Sequence, residues 1–253
     1  LPSLVINAEA GAKLRVIQRF ISTDEAAAVV LTAVDVNLGD KADVKYLVTQ
    51  ELNLASKFIR IADSCLQAGA DAKQAIIHTG SKWVREETYS TVDGSDGQSH
   101  ILSVALPDTN QEFDQRTFQH HAAPHTYSDL LYKNALYGKA KTTFSGLIAV
   151  DEGAHYTDAY QTCRNLLMED TTEANSMPGL QINADQVKCS HGSTASAISD
   201  EEIFYLQARG IQPKAARQLI ARGFCVQVIE RLENEQLQNL VLNYLDEKFS
   251  SIS

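Results

Sequence analysis

The chain has 253 residues, of which 44% are hydrophobic and 21% are charged, and its formal net charge is -10. This length allows a sizeable core, in one large domain or in two smaller ones. The acidic balance argues against sequence-independent binding to nucleic acid and against docking on an anionic membrane, because both need clustered Lys and Arg.

The first residues and the cysteines indicate which cellular compartment the protein occupies and whether the chain is a fragment. The longest apolar stretch, Ala26–Val34, is interrupted by Thr32 and is too short to span a bilayer. No basic-then-apolar stretch that would indicate a secretory signal opens the chain, and because the first residue is Leu1 and not Met, we expect a fragment of a longer protein. The four cysteines are widely spread, which fits reduced thiols in a cytosol-like compartment better than a disulfide framework.

Residues 1–198 are predicted to form one short strand after another. Gly11, Gly39 and Gly69 recur at intervals of about thirty residues, which is the length of one or two coils of a β-solenoid. An ordinary β-sandwich with similar turns stays open as an alternative. The predicted strands are rich in Val, Ile and Thr or alternate apolar with polar residues: Leu14–Ile21, Val29–Val36, Val44–Val48, Phe58–Ile61, Ala75–His78, Ile101–Leu106, Phe113–Phe118, Thr142–Val150 and Leu180–Cys189.

After Ser199 the pattern changes to helices. Ser199-Asp200-Glu201-Glu202 fits a capping box, and Leu206–Ile211 fits a Schellman ending with Gly210 in the left-handed position. A second ending of the same form is predicted at Gly223, and Pro213 suits the first turn of the helix between them. One face of a final amphipathic helix is marked by Leu237, Leu240, Val241, Tyr244, Leu245 and Phe249.

The segment Asp185–Gly192 carries the most chemical information. If it is extended, Cys189 and His191 project to the same face, because side chains alternate along a strand. A thiolate and an imidazole suit a soft or borderline metal such as iron or zinc. A closed site needs about four ligands and the sequence contains no C-x-x-C pair, so either another chain supplies the rest or the pair is structural.

Histidines and basic residues supply two further candidates. His120, His121 and His125 suggest a metalloenzyme, but adjacent histidines on a strand point to opposite faces, and we expect hydrogen-bonding residues at a turn. A local positive patch in this acidic protein is either a solvated face or a docking surface for an acidic partner. The patch consists of Arg209, Lys214, Arg217 and Arg222.

An ordered series of motifs resembles the SufB/SufD family of iron–sulfur cluster assembly proteins. The resemblance covers most of residues 100–225, and the Cys-Ser-His-Gly run at 189–192 with Leu206 after Phe-Tyr is similar to the SufD-type branch. The matching residues include Phe113–Thr117, His120-His121, Pro124–Thr126, Leu131–Lys133, Phe144–Gly146, Thr157–Gln161, Asn165–Leu167, Val187–Gly192, Phe204–Leu206, Arg209–Ile211 and Gly223-Phe224.

The resemblance implies a fold and a function. It implies a right-handed parallel β-helix core over residues 1–198, followed by a helical domain over residues 199–253. It also implies a non-catalytic scaffold that pairs with a SufB-like subunit through the β-helix and binds a SufC-like ABC ATPase through the helices, where the positive patch is the candidate surface. We expect cytoplasmic localisation, or plastid stroma if the source is a plant or alga.

The same resemblance gives the Cys189 and His191 pair a role. It implies that both residues, His191 foremost, contribute to a transient iron–sulfur cluster where the two subunits meet, with no resident cofactor or metal in the isolated chain. The resemblance also implies that strand edges of the solenoid pair with the SufB-like subunit. Without that subunit, the same edges are expected to form a homodimer. The remaining alternatives are a β-helix polysaccharide-active enzyme, although no cluster of acids is evident, and a metalloenzyme that uses the histidines.

Overall fold

The computed structural model describes residues 2–252, which form fourteen parallel strands followed by three helices. The strands are β1 (Ser3–Ala8), β2 (Lys13–Ile21), β3 (Val29–Leu38), β4 (Asp43–Glu51), β5 (Lys57–Leu66), β6 (Asp71–His78), β7 (Trp83–Val92), β8 (Gln98–Ala105), β9 (Glu112–His121), β10 (Tyr127–Leu136), β11 (Lys141–Val150), β12 (Asp158–Leu167), β13 (Glu173–Ile182) and β14 (Lys188–Ala197). The helices are α1 (Asp200–Gln207), α2 (Pro213–Glu230) and α3 (Glu235–Ser251).

The strands wind into a solenoid with seven strands in each of two sheets. Odd-numbered strands pair in the order β1 to β13, and even-numbered strands pair in the order β2 to β14. Each strand lies beside the strand two places along the chain, and all the pairs are parallel and in register, as in Lys57 with Trp83. The predicted β-solenoid is therefore confirmed and the antiparallel sandwich is excluded, while the right-handed sense stays a prediction.

One coil takes about thirty residues, so the glycine spacing in the sequence marked single coils. Bonded side chains on neighbouring coils are 26 positions apart for Arg60 and Glu86 and 32 for Lys141 and Glu173. The corners need glycine where coils stack closely: a Cβ on Gly39 would lie 2.9 Å from the backbone nitrogen of Ala10. Stacking on the preceding corner thus limits position 39 to the smallest residue.

The interior of the solenoid is apolar in the first coils and polar in the middle ones. Val34, Val36, Val44 and Val48 face inward near the start. Further along, the fully buried side chains of Arg60 and Glu86 form an ion pair, and Nε2 of His78 lies 3.3 Å from Oε2 of Glu86. Arg60, His78 and Glu86 all lie at inward-facing strand positions, so the lumen carries charge that the hydrophobic pattern does not reveal.

The helices pack on the outer face of the even-numbered sheet. Leu102 and Val104 alternate with the inward-facing residues of β8, yet both are buried, because they join one apolar cluster with Cys225 and Val228 of α2. Strands end at Ala197 and the first helix begins at Asp200. The division into two domains stays a prediction, and the shared cluster argues that the segments stabilise each other. No helix within residues 2–252 has the length and apolarity to cross a bilayer.

Two local predictions about the C-terminal half are wrong. The predicted strand Leu180–Cys189 is in fact the end of β13 and the start of β14, separated by a corner in which Gln186 has a φ of +59°. The predicted helix ending at Gly223 does not occur, because α2 runs through this residue to Glu230. Burial of Cys225, Val228 and Ile229 on the sheet outweighs the local preference of glycine to end a helix.

Other helix signals are confirmed. The hydroxyl of Ser199 accepts a hydrogen bond from the amide of Glu202 at 3.4 Å. The amide of Ile211 donates to the carbonyl of Leu206 and that of Gly210 to Gln207, which is the Schellman pattern. Pro213 occupies the first turn of α2.

Candidate functional site

Cys189 and His191 lie at the open end of the solenoid. Both belong to β14, the last strand of the even-numbered sheet, where Cys189 pairs with Ala159 and His191 pairs with Gln161. Since residues in register on parallel strands point to the same side, and Ala159 and Gln161 are buried in the lumen, Cys189 and His191 face the lumen side. The strand therefore places the thiol and the imidazole on one face, as the sequence predicted.

The pair is incompletely covered because, among residues 2–252, no further coil stacks on β13 and β14, which together we call the terminal coil. Cys189 is half-buried against Ala159 and Ile148 of the preceding coil, and His191 is exposed. Burial raises the pKa of the Cys189 thiol, and the nearby Asp158 carboxylate acts in the same direction. At neutral pH the thiol is therefore protonated, and it becomes a metal ligand only by losing that proton.

Cys189 and His191 do not form a complete metal site with other residues of the described part of the chain. Among residues 2–252 no group of three or more His, Cys, Asp or Glu side chains is placed to hold a metal ion. A soft-metal or iron–sulfur site needs about four ligands, so a cluster bound here needs ligands from outside residues 2–252.

The histidines at 120, 121 and 125 do not converge. His120 faces outward and its Nε2 lies 2.9 Å from a carboxylate oxygen of Asp151, whereas His121 faces the lumen and is fully buried. The ring of His125 stacks on Tyr156 with centroids 4.8 Å apart. The three histidines thus contact different partners and do not form one site, as the alternation of strand faces predicted for His120 and His121.

His121 is an internal polar support for a corner of the coil. Its Nδ1 lies 2.7 Å from the hydroxyl of Thr126 and its Nε2 lies 2.8 Å from the hydroxyl of Ser128. Burial and the neighbouring His120 lower the pKa of His121 to about 4, so the ring is neutral at physiological pH. A neutral imidazole between two hydroxyls satisfies buried donors and acceptors and needs no metal.

Only part of the predicted positive patch is free to bind another molecule. Arg222 makes an ion pair with Asp246 of α3 at 2.5 Å, and Arg217 donates to the backbone carbonyl of Met168. Lys214 is exposed, and the guanidinium of Arg209 lies 3.5 Å from the ring centre of Tyr205. Two of the four charges therefore hold the helices in place, and two remain at the surface.

Exposed aromatic residues on α1 were missed by the sequence reasoning. Phe204 is 70% exposed and Tyr205 is 57% exposed, and α1 buries none of its residues. The sequence indicated the N-terminal cap of α1 but not the exposure of its aromatic side chains. A helix that buries none of its residues presents a surface without a partner among the described residues. Aromatic and Arg side chains together are typical of protein interfaces.

Comparison with known proteins gives a family. Residues 1–224 match the family model described as "SUF system FeS cluster assembly, SufBD core domain". The chain is 34% identical over 232 residues to the iron–sulfur cluster assembly protein SufD of Escherichia coli (strain K12), covering 92% of this chain and 55% of that protein.

Two further relatives come from a plant and a cyanobacterium. The chain is 27% identical over 246 residues to the chloroplastic protein ABCI7 of Arabidopsis thaliana, covering 96% of this chain and 52% of that protein. It is 29% identical over 206 residues to an iron–sulfur cluster assembly SufBD family protein of Synechocystis sp., covering 81% of this chain and 45% of the relative. The chain spans about half the length of the curated relatives it matches.

Proposed function

The chain belongs to the SufBD core family of SUF-system iron–sulfur cluster assembly proteins, and on this basis we propose that it is the scaffold part of a SufD-type subunit. In this proposal it performs no catalysis and acts in the cytoplasm or in the plastid stroma. It pairs with a SufB-like subunit at the terminal coil and binds a SufC-like ABC ATPase through its helices. The family match favours this function over a polysaccharide-active enzyme.

The observation that carries the proposal is the placement of Cys189 and His191 on one face of the terminal coil. Their thiol and imidazole form half of a ligand set at an end where a second chain can approach. The iron–sulfur cluster is the cargo of the complex, and His191 contributes a nitrogen ligand to it. Cys189 contributes a thiolate once the partner or the metal displaces its proton.

We predict that His191→Ala lowers cluster formation on the assembled complex by about tenfold or more, since loss of a ligand costs at least as much as loss of an outer-shell partner. The free energy of unfolding should change by less than about 0.5 kcal/mol, because an exposed side chain adds little to packing. The measurement is cluster absorbance together with a thermal melt. Ser193→Ala, two residues along the same strand face, is the control, and wild-type assembly with His191→Ala would refute the role.

The edge of β14 provides the surface for pairing. Along β14, the amide of Lys188 bonds to β12, and the residues at odd positions direct their amides and carbonyls away from it. This edge is open to another strand, and natural proteins usually block such edges. We propose that the SufB-like subunit occupies it, and that a second copy of this protein does so when that subunit is absent.

Ala195→Pro is expected to weaken this association by about tenfold or more, because it removes an edge-facing amide without breaking the ladder to β12. Ala195→Ser is the control. The measurement is sedimentation of the full-length protein at high micromolar concentration, alone and with the SufB-like subunit. A strictly monomeric wild type would contradict the homodimer, and undiminished association in the Pro variant would contradict the edge.

The ATPase surface is proposed to centre on Phe204, Tyr205 and Arg209, with Lys214 at the rim. Phe204→Ala should weaken binding of the SufC-like ATPase by about tenfold or more, which is the effect of losing an aromatic anchor. Lys214→Ala should lower the association rate and its salt dependence more than the affinity. Calorimetry and stopped-flow mixing separate the two effects, and an unchanged Kd for Phe204→Ala would place the ATPase elsewhere.

A further inference from the structure

Gln161 lies directly beneath His191 in the lumen. The two residues are register partners on β12 and β14, so their Cα atoms are separated by one strand spacing, about 4.8 Å, and their side chains share a face. The same inward column continues through Leu130 and Ile101 to Gln74. Gln161 is therefore the first polar side chain that the interior offers to the imidazole.

Gln161 is buried without a hydrogen-bond partner. Its residue exposure is 1%, and both Oε1 and Nε2 of its amide are buried and unpaired. A buried amide without a hydrogen-bond partner is unfavourable, and most buried polar side chains in native proteins have one. The unpaired amide can both donate and accept, and a neutral imidazole such as that of the neighbouring His191 offers one donor and one acceptor nitrogen.

A glycine on the facing sheet keeps space for this amide. A Cβ placed on Gly146 would lie 1.9 Å from Nε2 of Gln161 and 2.6 Å from the hydroxyl oxygen of Thr117. The amide therefore extends across the lumen over the bare Cα of Gly146. The Thr117 hydroxyl is likewise buried and unpaired, so the interior below the terminal coil is polar on both sheets.

We propose that Gln161 is a positioning residue for His191. In this proposal the Gln161 side chain turns away from Gly146, and its amide bonds one ring nitrogen of His191, which fixes the tautomer and presents the other nitrogen outward as a ligand. A histidine ligand is commonly oriented in this way by a partner on its second nitrogen. The role of this orientation in cluster binding rests on the proposed function, but the proposed hydrogen bond between Gln161 and His191 does not.

The test uses full-length protein labelled with 15N-histidine, with the His191 signals assigned by their loss in His191→Ala. In the wild type we expect ring nitrogen shifts of one dominant tautomer. Gln161→Met keeps the shape, removes both polar atoms and should move the shifts toward those of a free histidine mixture. Gln161→Glu keeps the acceptor oxygens and should hold one tautomer, and Gln74→Met, buried in the same column but far from β14, should change nothing.

Gly146→Ala gives a second route to the same result, because its methyl group displaces the Gln161 amide without altering its chemistry. It should shift the His191 tautomer in the direction seen with Gln161→Met. Unchanged His191 shifts in both Gln161→Met and Gly146→Ala would overturn the proposal, whatever cluster assembly shows. A shifted tautomer with wild-type cluster assembly would support the contact and would instead count against the cluster role of His191.

Discussion

Replacing Glu86 by Gln is expected to destabilise the protein by about 3–5 kcal/mol, because it leaves the Arg60 guanidinium charged, buried and without its partner. Both side chains are fully buried in the lumen, and His78 is the other ionisable side chain in contact with the carboxylate. The Gln side chain keeps the shape of Glu, so the loss comes from charge and not from a cavity. Chemical denaturation of the two proteins measures the difference.

An exposed ion pair is the matched control for Glu86. Lys141 and Glu173 lie on the outer face of the odd-numbered sheet with side chains 52% and 57% exposed. Glu173→Gln should change the free energy of unfolding by less than about 1 kcal/mol, since water screens such pairs. If Glu86→Gln were as mild as Glu173→Gln, water would have to reach Arg60, and burial would not make this ion pair stronger than an exposed one.

The buried pair also gives the fold a pH dependence. Burial acts to raise the pKa of Glu86, but Arg60 and His78 outweigh it, so the pKa lies below its ordinary value. A carboxyl with a lowered folded-state pKa adds stability that is present above its unfolded value, about 4.3, and is lost as pH falls through the folded value. The Tm of the wild type should therefore fall more steeply below about pH 4 than that of Glu86→Gln.

Val228→Asp is expected to destabilise the protein by about 4 kcal/mol or more, and to cause aggregation. Val228 is 1% exposed and belongs to the apolar cluster that joins α2 and α3 to the even-numbered sheet. A carboxylate there is an unpaired charge in apolar surroundings, and separation of the helices uncovers apolar residues such as Leu102. Light scattering during a thermal melt reports both consequences.

Leu219 provides the control on the same helix. It is 49% exposed, so Leu219→Asp should leave the Tm within a degree or two of the wild type.

The shared cluster also predicts that removal of residues 199–253 damages the solenoid, so point variants test the ATPase surface better than a deletion. A stable solenoid that does not aggregate after that deletion would show that the helices form a separate domain.

The repeating parts of the fold were predictable from sequence because they depend on local signals. Gly39 and Gly69 mark the corners, and apolar alternation marks strands such as β3 and β9. No strand was predicted at β1, β7, β10 or β12, and only the first two residues of β14 lay in a predicted strand. The rest of β14 has no hydrophobic alternation in its run of Gly, Ser, Thr and Ala, and its path is set by stacking on β12. Gly223 was misread because the burial of neighbouring residues on a distant sheet decides the length of α2.

The site was predictable in part. Spacing alone placed Cys189 and His191 on one face, and the structure agrees. Spacing did not show which face, because that depends on the register with Ala159 and Gln161. The use of Arg217 and Arg222 within the fold was equally hidden, since Met168 and Asp246 are remote in sequence from the residues they bind.

The composition of β14 has a consequence for the thermodynamics of assembly. From Gly192 to Ala197 the strand carries only Gly, Ser, Thr and Ala. Such side chains have few rotamers, whereas each Lys or Glu immobilised at an interface loses about 1.5–2 kcal/mol of conformational entropy. A partner strand that pairs with β14 therefore restricts few side-chain rotamers on this strand. Association at this edge should therefore carry a small entropic cost, and its affinity should depend more on backbone hydrogen bonds than on side-chain identity.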